Sequence, residues 1–312
     1  MYVVDSHADT LDLVLSGKTD SLINRYNFSS NFRQLQFAAA FCDAPGASED
    51  ESYNKVIKLI DAFNAALKAC CDNAVRASGF SDIERAISER KHAFMLTLEG
   101  AGKAICKSRD ILSLFYNAGA RIIGLAWESN ALVKSNRIKA GEKDTGLSPI
   151  GREVAEEINS LGMIFDVSHL SDKGFYDIGE ISAKPIIASH SNFRSVCPHS
   201  RNLTDGMARL IFESDGMIGL NFYPPFISET SEMQTVEGLF RHLDHGLSLG
   251  GENHIGFGGD IDGTDGDYPY PLNEQSSMHD KIIELMLRHN YSESLVRKIS
   301  GENYIEYLRK YL

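Results

Sequence analysis

Short apolar runs alternate with amphipathic stretches along this chain. The runs are Val3–Val4, LQFAAAF (35–41), HAFMLTL (92–98), RIIGLAW (121–127), GMIFDV (162–167), KPIIAS (184–189), GMIGLNF (216–222) and HIGFGG (254–259). Their centres are almost uncharged and both alternating faces are apolar, the pattern of parallel strands covered on two sides. Between them the spacing is helical. In SPIGREVAEEINSLG, Ser148 suits a cap, Pro149 suits the first turn, and Ile150, Val154, Ile158 and Leu161 form one apolar stripe. The stretch from Asp50 to Glu89 predicts two helices with a break at Gly79–Phe80. Glycines in SDGM and SLGM stand where helices hand over to strands. Eight strands with helical crossovers in 312 residues predict an α/β chain, a single (β/α)8 TIM-type barrel domain over 1–312. An open doubly wound sheet is the alternative. It would usually bring a phosphate-binding loop, and neither GFGGD (256–260) nor GAGKA (100–104) has the required order of residues.

Charge narrows the partners. The net charge is −12 with no long basic cluster, which argues against nucleic acid and anionic membrane surfaces. No apolar stretch reaches the length of a bilayer span, and the start lacks a charged-then-apolar leader. Cys42, Cys70, Cys71, Cys106 and Cys197 are odd in number and contain no C-x-x-C pair. Reduced, mostly buried thiols and a cytoplasmic location are expected.

The candidate chemistry lies just after the runs. In VVDSHADT (3–10), Asp5, His7 and Asp9 alternate, so an extended segment would aim His7 and Asp9 at one point. Glu99 follows in LTLEGA, His169 in DVSHLS, His190 in ASHSN and Asp260 in GGDIDG. In a barrel, all of these occupy the C-terminal rim, where barrel enzymes build their sites. A single rim histidine is more often a hydrogen-bonded structural residue. Three histidines, two aspartates and a glutamate from separate strands favour a metal site. His7, Asp9, Glu99, His169 and His190 are more donors than one tetrahedral zinc needs. A central Glu99 would bridge two ions, with His7 and Asp9 on one and His169 and His190 on the other. Such a pair, about 3.5–4 Å apart, shares a water and polarises a carbonyl. Asp260 is then left to move a proton, with Asp262 as a stand-in.

These segments resemble the membrane dipeptidase (renal dipeptidase) family of binuclear zinc peptidases along nearly the whole chain. The pieces are DSHADT, LTLEGA, DVSHLS, ASHS followed by SRN, GLNFY and GFGGDIDG, in order. The resemblance implies two zinc ions per chain, bridged by Glu99 and a water or hydroxide. His7 and Asp9 would complete the first site, His169 and His190 the second, and Asp260 would act in proton transfer. It also implies that Arg201 of SRN grips the free carboxylate of a small peptide substrate. A guanidinium suits that task because it pairs with a carboxylate through two hydrogen bonds. Tolerance of a D-configured C-terminal residue is a further implication. Two positions depart from the family pattern: Trp127 stands where a histidine is frequent, and Phe226 where some relatives have tyrosine, while Tyr223 is kept. Trp127 and Tyr223 are therefore expected to line the substrate side.

The remaining histidines carry less. His242, His245, His279 and His289 read as solvated, and His199 as a neighbour of Arg201 outside the catalytic set. The polar connection ESNALVKSNRIKAGEKDTG (128–146) reads as a cover for the substrate. The leading expectation is a cytoplasmic zinc dipeptidase. A related amidohydrolase acting on a cyclic amide or an acylated amino acid is the second. A metal-binding or ligand-binding barrel without catalysis is the third. Barrels of this kind often form homodimers, and the sequence marks no interface.

Overall fold

The computed structural model describes residues 1–23, 32–263 and 278–312. Its parallel strands are β1 (Tyr2–Ala8), β2 (Arg33–Phe41), β3 (Ala74–Arg76), β4 (His92–Glu99), β5 (Ile122–Gly124), β6 (Ile164–Asp166), β7 (Ile187–Ala188), β8 (Met217–Leu220) and β9 (Ile255–Phe257). They run in the order β2-β1-β9-β8-β7-β6-β5-β4, and pairing of β2 with β4 closes the ring into an eight-stranded barrel. Helices lie between the strands, giving the expected (β/α)8 architecture. β3 is the ninth strand. It pairs with the first residues of β4, on the edge that β5 takes over at Thr97. It lies between the two helices expected from Asp50 to Glu89, which are Glu49–Ala69 and Phe80–Glu89, the second capped by Gly79.

Local chemistry fixes many boundaries. Ser48 and Glu51 close a capping box on Glu49–Ala69. Ser148 accepts from the Gly151 amide and Pro149 fills the first position of Pro149–Ser160, as the sequence indicates. The stripe of that helix is Gly151, Val154, Ala155 and Ile158. Ile150 is exposed, because at 100° per residue it falls outside this arc in the first turn.

The interior is layered. Val4, Phe37, Met95, Ile122, Ile164, Ile187 and Met217 form one apolar cluster with Tyr304 and Leu308 of the helix Asn303–Tyr311. Towards the strand exits, bulk gives way to small residues. The Ser6 hydroxyl lies 2.5 Å from the Ser189 carbonyl and 2.8 Å from the Phe257 carbonyl, and Tyr304 donates to it. A Cβ at Gly219 or Gly258 would collide with that same Ser189 carbonyl. Glycine there lets β7, β8 and β9 draw together beneath the rim.

A buried polar pair ties the ends of the chain together. Asp5 is fully buried, accepts from the amides of His7 and Gly259, and meets His279 Nε2 at 2.6 Å. His279 is wholly buried between the rings of Phe222 and Phe257, and is not solvated. His242 is likewise buried, with Nδ1 accepting from the Phe193 amide and Nε2 donating to the Ile227 carbonyl. Only His245 and His289 reach solvent as expected. Both buried histidines sit on helices, and which helical face turns inward is a tertiary property. Replacing His279 with Phe keeps the packing and strips Asp5 of its partner. Loss of one partner from a buried pair costs about 3 kcal/mol, so urea unfolding of His279→Phe should show a loss of that order.

Candidate metal centre

Four strand exits bring the expected ligands together, and a fifth adds Asp260. His7 is the penultimate residue of β1 and Asp9 stands directly before the helix Thr10–Leu15. The pairing of β1 with β2 slips by one residue between Asp5 and Ala8, a bulge that re-aims the strand end. His7 and Asp9 thus converge through a bulge and a helix start, not through simple alternation. Glu99 ends β4, His169 and His190 follow β6 and β7, and Asp260 follows β9. His169 and Asp260 have φ of 70° and 53°. Left-handed backbone costs a non-glycine residue about 1 kcal/mol, and here it turns both side chains towards the rim centre.

Glu99 is the hub. Its Oε1 lies 2.8 Å from His169 Nε2 and 3.9 Å from His190 Nε2. Its Oε2 lies 3.4 Å from His7 Nε2. His7 Nε2 is also 3.5 Å from Asp9 Oδ2 and 3.9 Å from Asp260 Oδ1. One carboxylate oxygen therefore faces a pair of imidazoles, and the other faces His7, whose Nε2 also gathers Asp9 and Asp260.

The electrostatics call for positive charge. Burial and the nearby Glu99 raise Asp9 to about 8. Burial, aggravated by Glu99 and eased by His7, raises Asp260 to about 6. Burial works against protonation of His7, but Glu99 and Asp9 together hold its pKa well above the ordinary value. Burial also acts on Glu99, yet His7 and His169 keep its carboxyl well below the usual range. On the other side, burial and Arg201 push His169 down to about 3, and burial and His7 push His190 well below its usual value.

The donor set fits divalent ions. His169 Nε2 and His190 Nε2 are 2.9 Å apart, two neutral rings aimed at one spot. The tautomer of His190 follows from its surroundings. Ser189 gives its only proton to Asp166, so its oxygen accepts from His190 Nδ1–H at 2.7 Å. That leaves a lone pair on His190 Nε2, the form a metal binds. His7 Nε2 and Asp9 Oδ1 are buried without a hydrogen-bond partner, as atoms reserved for a cation would be.

Sequence reasoning missed the supports. Asn221, within the quoted GLNFY, donates to Asp260 Oδ2 at 3.0 Å. Asp262 is occupied otherwise, accepting from the Asp9 amide at 2.8 Å and from the Thr10 hydroxyl. This separates the two aspartates of GGDIDG: Asp260 faces the centre and Asp262 fixes Asp9. Asp166 was visible in DVSHLS, but nothing in spacing reveals that it acts through Ser189.

Arg201 stands at the edge. It is buried, donates to the Ser191 hydroxyl and the His190 carbonyl, and leaves Nε without a partner. Burial lowers its pKa to about 10, so it stays charged near neutrality. The Phe226 ring lies 5.5 Å from this guanidinium and packs on His199 and Tyr223. Trp127 is partly buried, 6.1 Å from the His169 ring and 5.4 Å from Phe41. The connection after it returns to the rim, bridging Ser135 to Leu170.

A sequence model of the family described as Membrane dipeptidase (Peptidase family M19) matches residues 1–311. An uncharacterized protein in the pqqA 5' region of Klebsiella pneumoniae is 31% identical over 261 residues, covering 81% of this chain and 93% of that protein. Dipeptidase tcpJ of Claviceps purpurea is 30% identical over 270 residues, covering 86% of this chain and 62% of that longer protein. Among solved structures, a metallo peptidase from Rhodobacter sphaeroides liganded with a phosphinate mimic of the dipeptide L-Ala-D-Ala superposes with a TM-score of 0.88. The two are 25% identical, and the match covers 100% of this chain and 99% of that one. A dipeptidase described as a metallo peptidase of family M19 gives a TM-score of 0.87 at 26% identity, covering 100% and 98%.

In the metal-free protein, the candidate ligand Asp9 holds a proton below about 8, and His7 is protonated as well. Binding a divalent ion must expel those protons, so affinity should rise as pH increases through this window. Calorimetric titration with Zn2+ in buffers of different ionisation enthalpy should show net proton release, larger at the acidic end. A pH-independent affinity without proton release would show that these groups do not receive the ion.

Proposed function

The chain belongs to the membrane dipeptidase family, peptidase family M19, and from that premise we propose that it is a two-zinc dipeptidase for dipeptides with a free C-terminal carboxylate. The observation that carries the reading is Glu99, whose two oxygens face separate donors: His169 and His190 on one side, and on the other His7, which also meets Asp9. His7, Asp9 and Glu99 would hold the first ion, and Glu99, His169 and His190 the second. Nitrogen and carboxylate donors without sulfur suit Zn2+. The bound ions would supply Lewis acidity and make a shared water acidic enough to serve as nucleophile near neutral pH.

The chain's own groups do the rest. Asp260, oriented by the Asn221 amide, takes the proton from the attacking water and passes it to the departing amine. Arg201 receives the substrate's α-carboxylate through its unpartnered Nε edge and stays charged despite burial. Because Arg201 is anchored to the His190 backbone, the distance from that carboxylate to the scissile carbonyl is fixed. Trp127 and Tyr223, with Phe226, line the substrate side with apolar surface. The phosphinate mimic of L-Ala-D-Ala held by the Rhodobacter sphaeroides peptidase supports acceptance of a D-configured C-terminal residue. The same reading takes 1–312 as one domain, supported by the family match over 1–311. No described helix is long and apolar enough to cross a membrane. The five cysteines, all unpaired, support the cytoplasmic location.

Asp260→Asn keeps the size and loses the base. Turnover should fall by about 100-fold or more, the usual scale for an acid–base group, while zinc content by elemental analysis changes far less. Near-normal turnover in the fully loaded variant would remove Asp260 from proton transfer.

Arg201 tests substrate length. For a good dipeptide, its C-terminal amide and a tripeptide extension, kcat/KM should favour the free dipeptide by about 100-fold, the loss expected when a buried charge-assisted pair goes missing. Arg201→Met should abolish most of that preference. Equal cleavage of all three by the wild type would overturn the dipeptidase reading in favour of a broader amidohydrolase.

A further inference from the structure

Resting on the dipeptidase reading, we propose that Arg137, stacked on Trp127 at the rim, takes a second carboxylate of the substrate, so that the enzyme favours dipeptides ending in a residue with an acidic side chain. The Arg137 guanidinium lies 3.6 Å from the centre of the Trp127 ring, whose other neighbours are His169 and Phe41. This stack places a cation over the aromatic group that lines the substrate side. It also spares the guanidinium edge for hydrogen bonds, because stacking uses only the face.

Arg137 makes no ion pair among the described residues, although its charge, after the Gly46 amide and Lys103, helps to hold the Glu128 carboxyl below its usual range. Its backbone amide donates to Ser135 Oγ, and its side chain is exposed. The neighbouring acid, Glu128, is already taken by the Gly46 amide at 3.1 Å and by Lys103 at 3.2 Å. Exposed arginines without partners are common, so position must decide. The residue before it, Asn136, donates from its backbone to the His169 carbonyl at 2.8 Å and from its side chain to the Ser200 carbonyl at 3.4 Å. The loop is thus fastened between a candidate metal ligand and the residue next to Arg201. The positive charge of Arg137 is felt at both Arg201 and His199, lowering their pKa values. In a chain of net charge −12, two guanidiniums share one side of the rim.

Two neighbouring cations match a residue with two neighbouring anions. If Arg201 takes the α-carboxylate, the side-chain carboxylate of the same residue lies only two or three carbons away. Aspartate-like and glutamate-like C-terminal residues meet that condition. A neutral side chain would leave Arg137 hydrated and indifferent, and a basic one would meet repulsion.

The test uses the zinc-loaded enzyme and four dipeptides: Ala-Asp against Ala-Asn, and Asp-Ala against Asn-Ala, with the C-terminal residue supplied in both configurations. The readout is the acid-to-amide ratio of kcat/KM, which cancels general losses of activity. Because Arg137 is exposed and screened, the ratio for Ala-Asp over Ala-Asn should be about tenfold and should shrink as salt rises. Arg137→Gln should bring it to about one, and Arg137→Glu below one. A wild-type ratio near one, a ratio unmoved in both variants, or a preference confined to Asp-Ala would overturn the proposal. Loaded enzyme that cleaves Ala-Asn without preferring Ala-Asp defeats this inference alone. Loaded enzyme that cleaves none of the four defeats the dipeptidase reading beneath it.

Discussion

Three carboxylates crowded into one small, mostly shielded volume are the constraint around which this protein is built. Asp9, Glu99 and Asp260 all lie within 4 Å of His7 Nε2. Like charges so close, away from water, are costly unless protons or cations intervene. The raised pKa values of Asp9 and Asp260 express that cost in the absence of an ion. A site that binds metal must keep the carboxylates there while they repel each other. The barrel does so by delivering each from a different strand, so that no single loop can relax and separate them.

The supports behind the ligands show how the geometry is held. The Asp5 carboxylate takes the amides of His7 and Gly259, binding the exit of β1 to that of β9. Asp262 takes the amide of Asp9, and Asn221 holds Asp260. Ser189 and Asp166 set the proton of His190. Asp5, Asp262 and Asp166 thus each fix a residue that faces the centre. Beneath them, Ser6, Gly219 and Gly258 keep the strand exits close. Enlarging that layer would spread the rim, and a displacement of about 1 Å is enough to spoil a preorganised site.

Much of this was legible in the sequence, for a physical reason. Parallel strands covered on both sides must be apolar throughout, so the residue that follows each run is conspicuous when it is charged. His7, Glu99, His169, His190 and Asp260 stood out in that way. What stayed hidden depends on tertiary context. β3 is only Ala-Val-Arg, too short for periodicity, inside a stretch that otherwise reads as helix. Ile150 belongs to a helical stripe by spacing, yet its turn lies beyond the packed arc. His242 and His279 look like surface residues until the helices dock. Asp260 and Asp262 have the same chemistry two positions apart, and only the folded chain, through the left-handed backbone at Asp260 and the different partners of the two carboxylates, separates their roles.

The metal side and the substrate side also differ in kind. The candidate ligands are deeply shielded, and their partners are backbone amides and buried side chains. The groups proposed to face substrate are aromatic or cationic and come from the segments after the strands: Trp127 and Arg137 after β5, Arg201 after β7, and Tyr223 with Phe226 of the short helix Pro224–Ile227 after β8. Burial grades their influence. Arg201 is 5% exposed and has already given up hydration, so leaving it unpaired is expensive, and in the proposed role it would select strongly for a carboxylate. Arg137 keeps its water, so whatever it recognises is favoured only mildly. On the proposed reading, a barrel arranged in this way would measure the length of its substrate strictly and its side chain leniently. Changes in the rim loops can then redirect the choice of dipeptide without disturbing the carboxylates that hold the centre together.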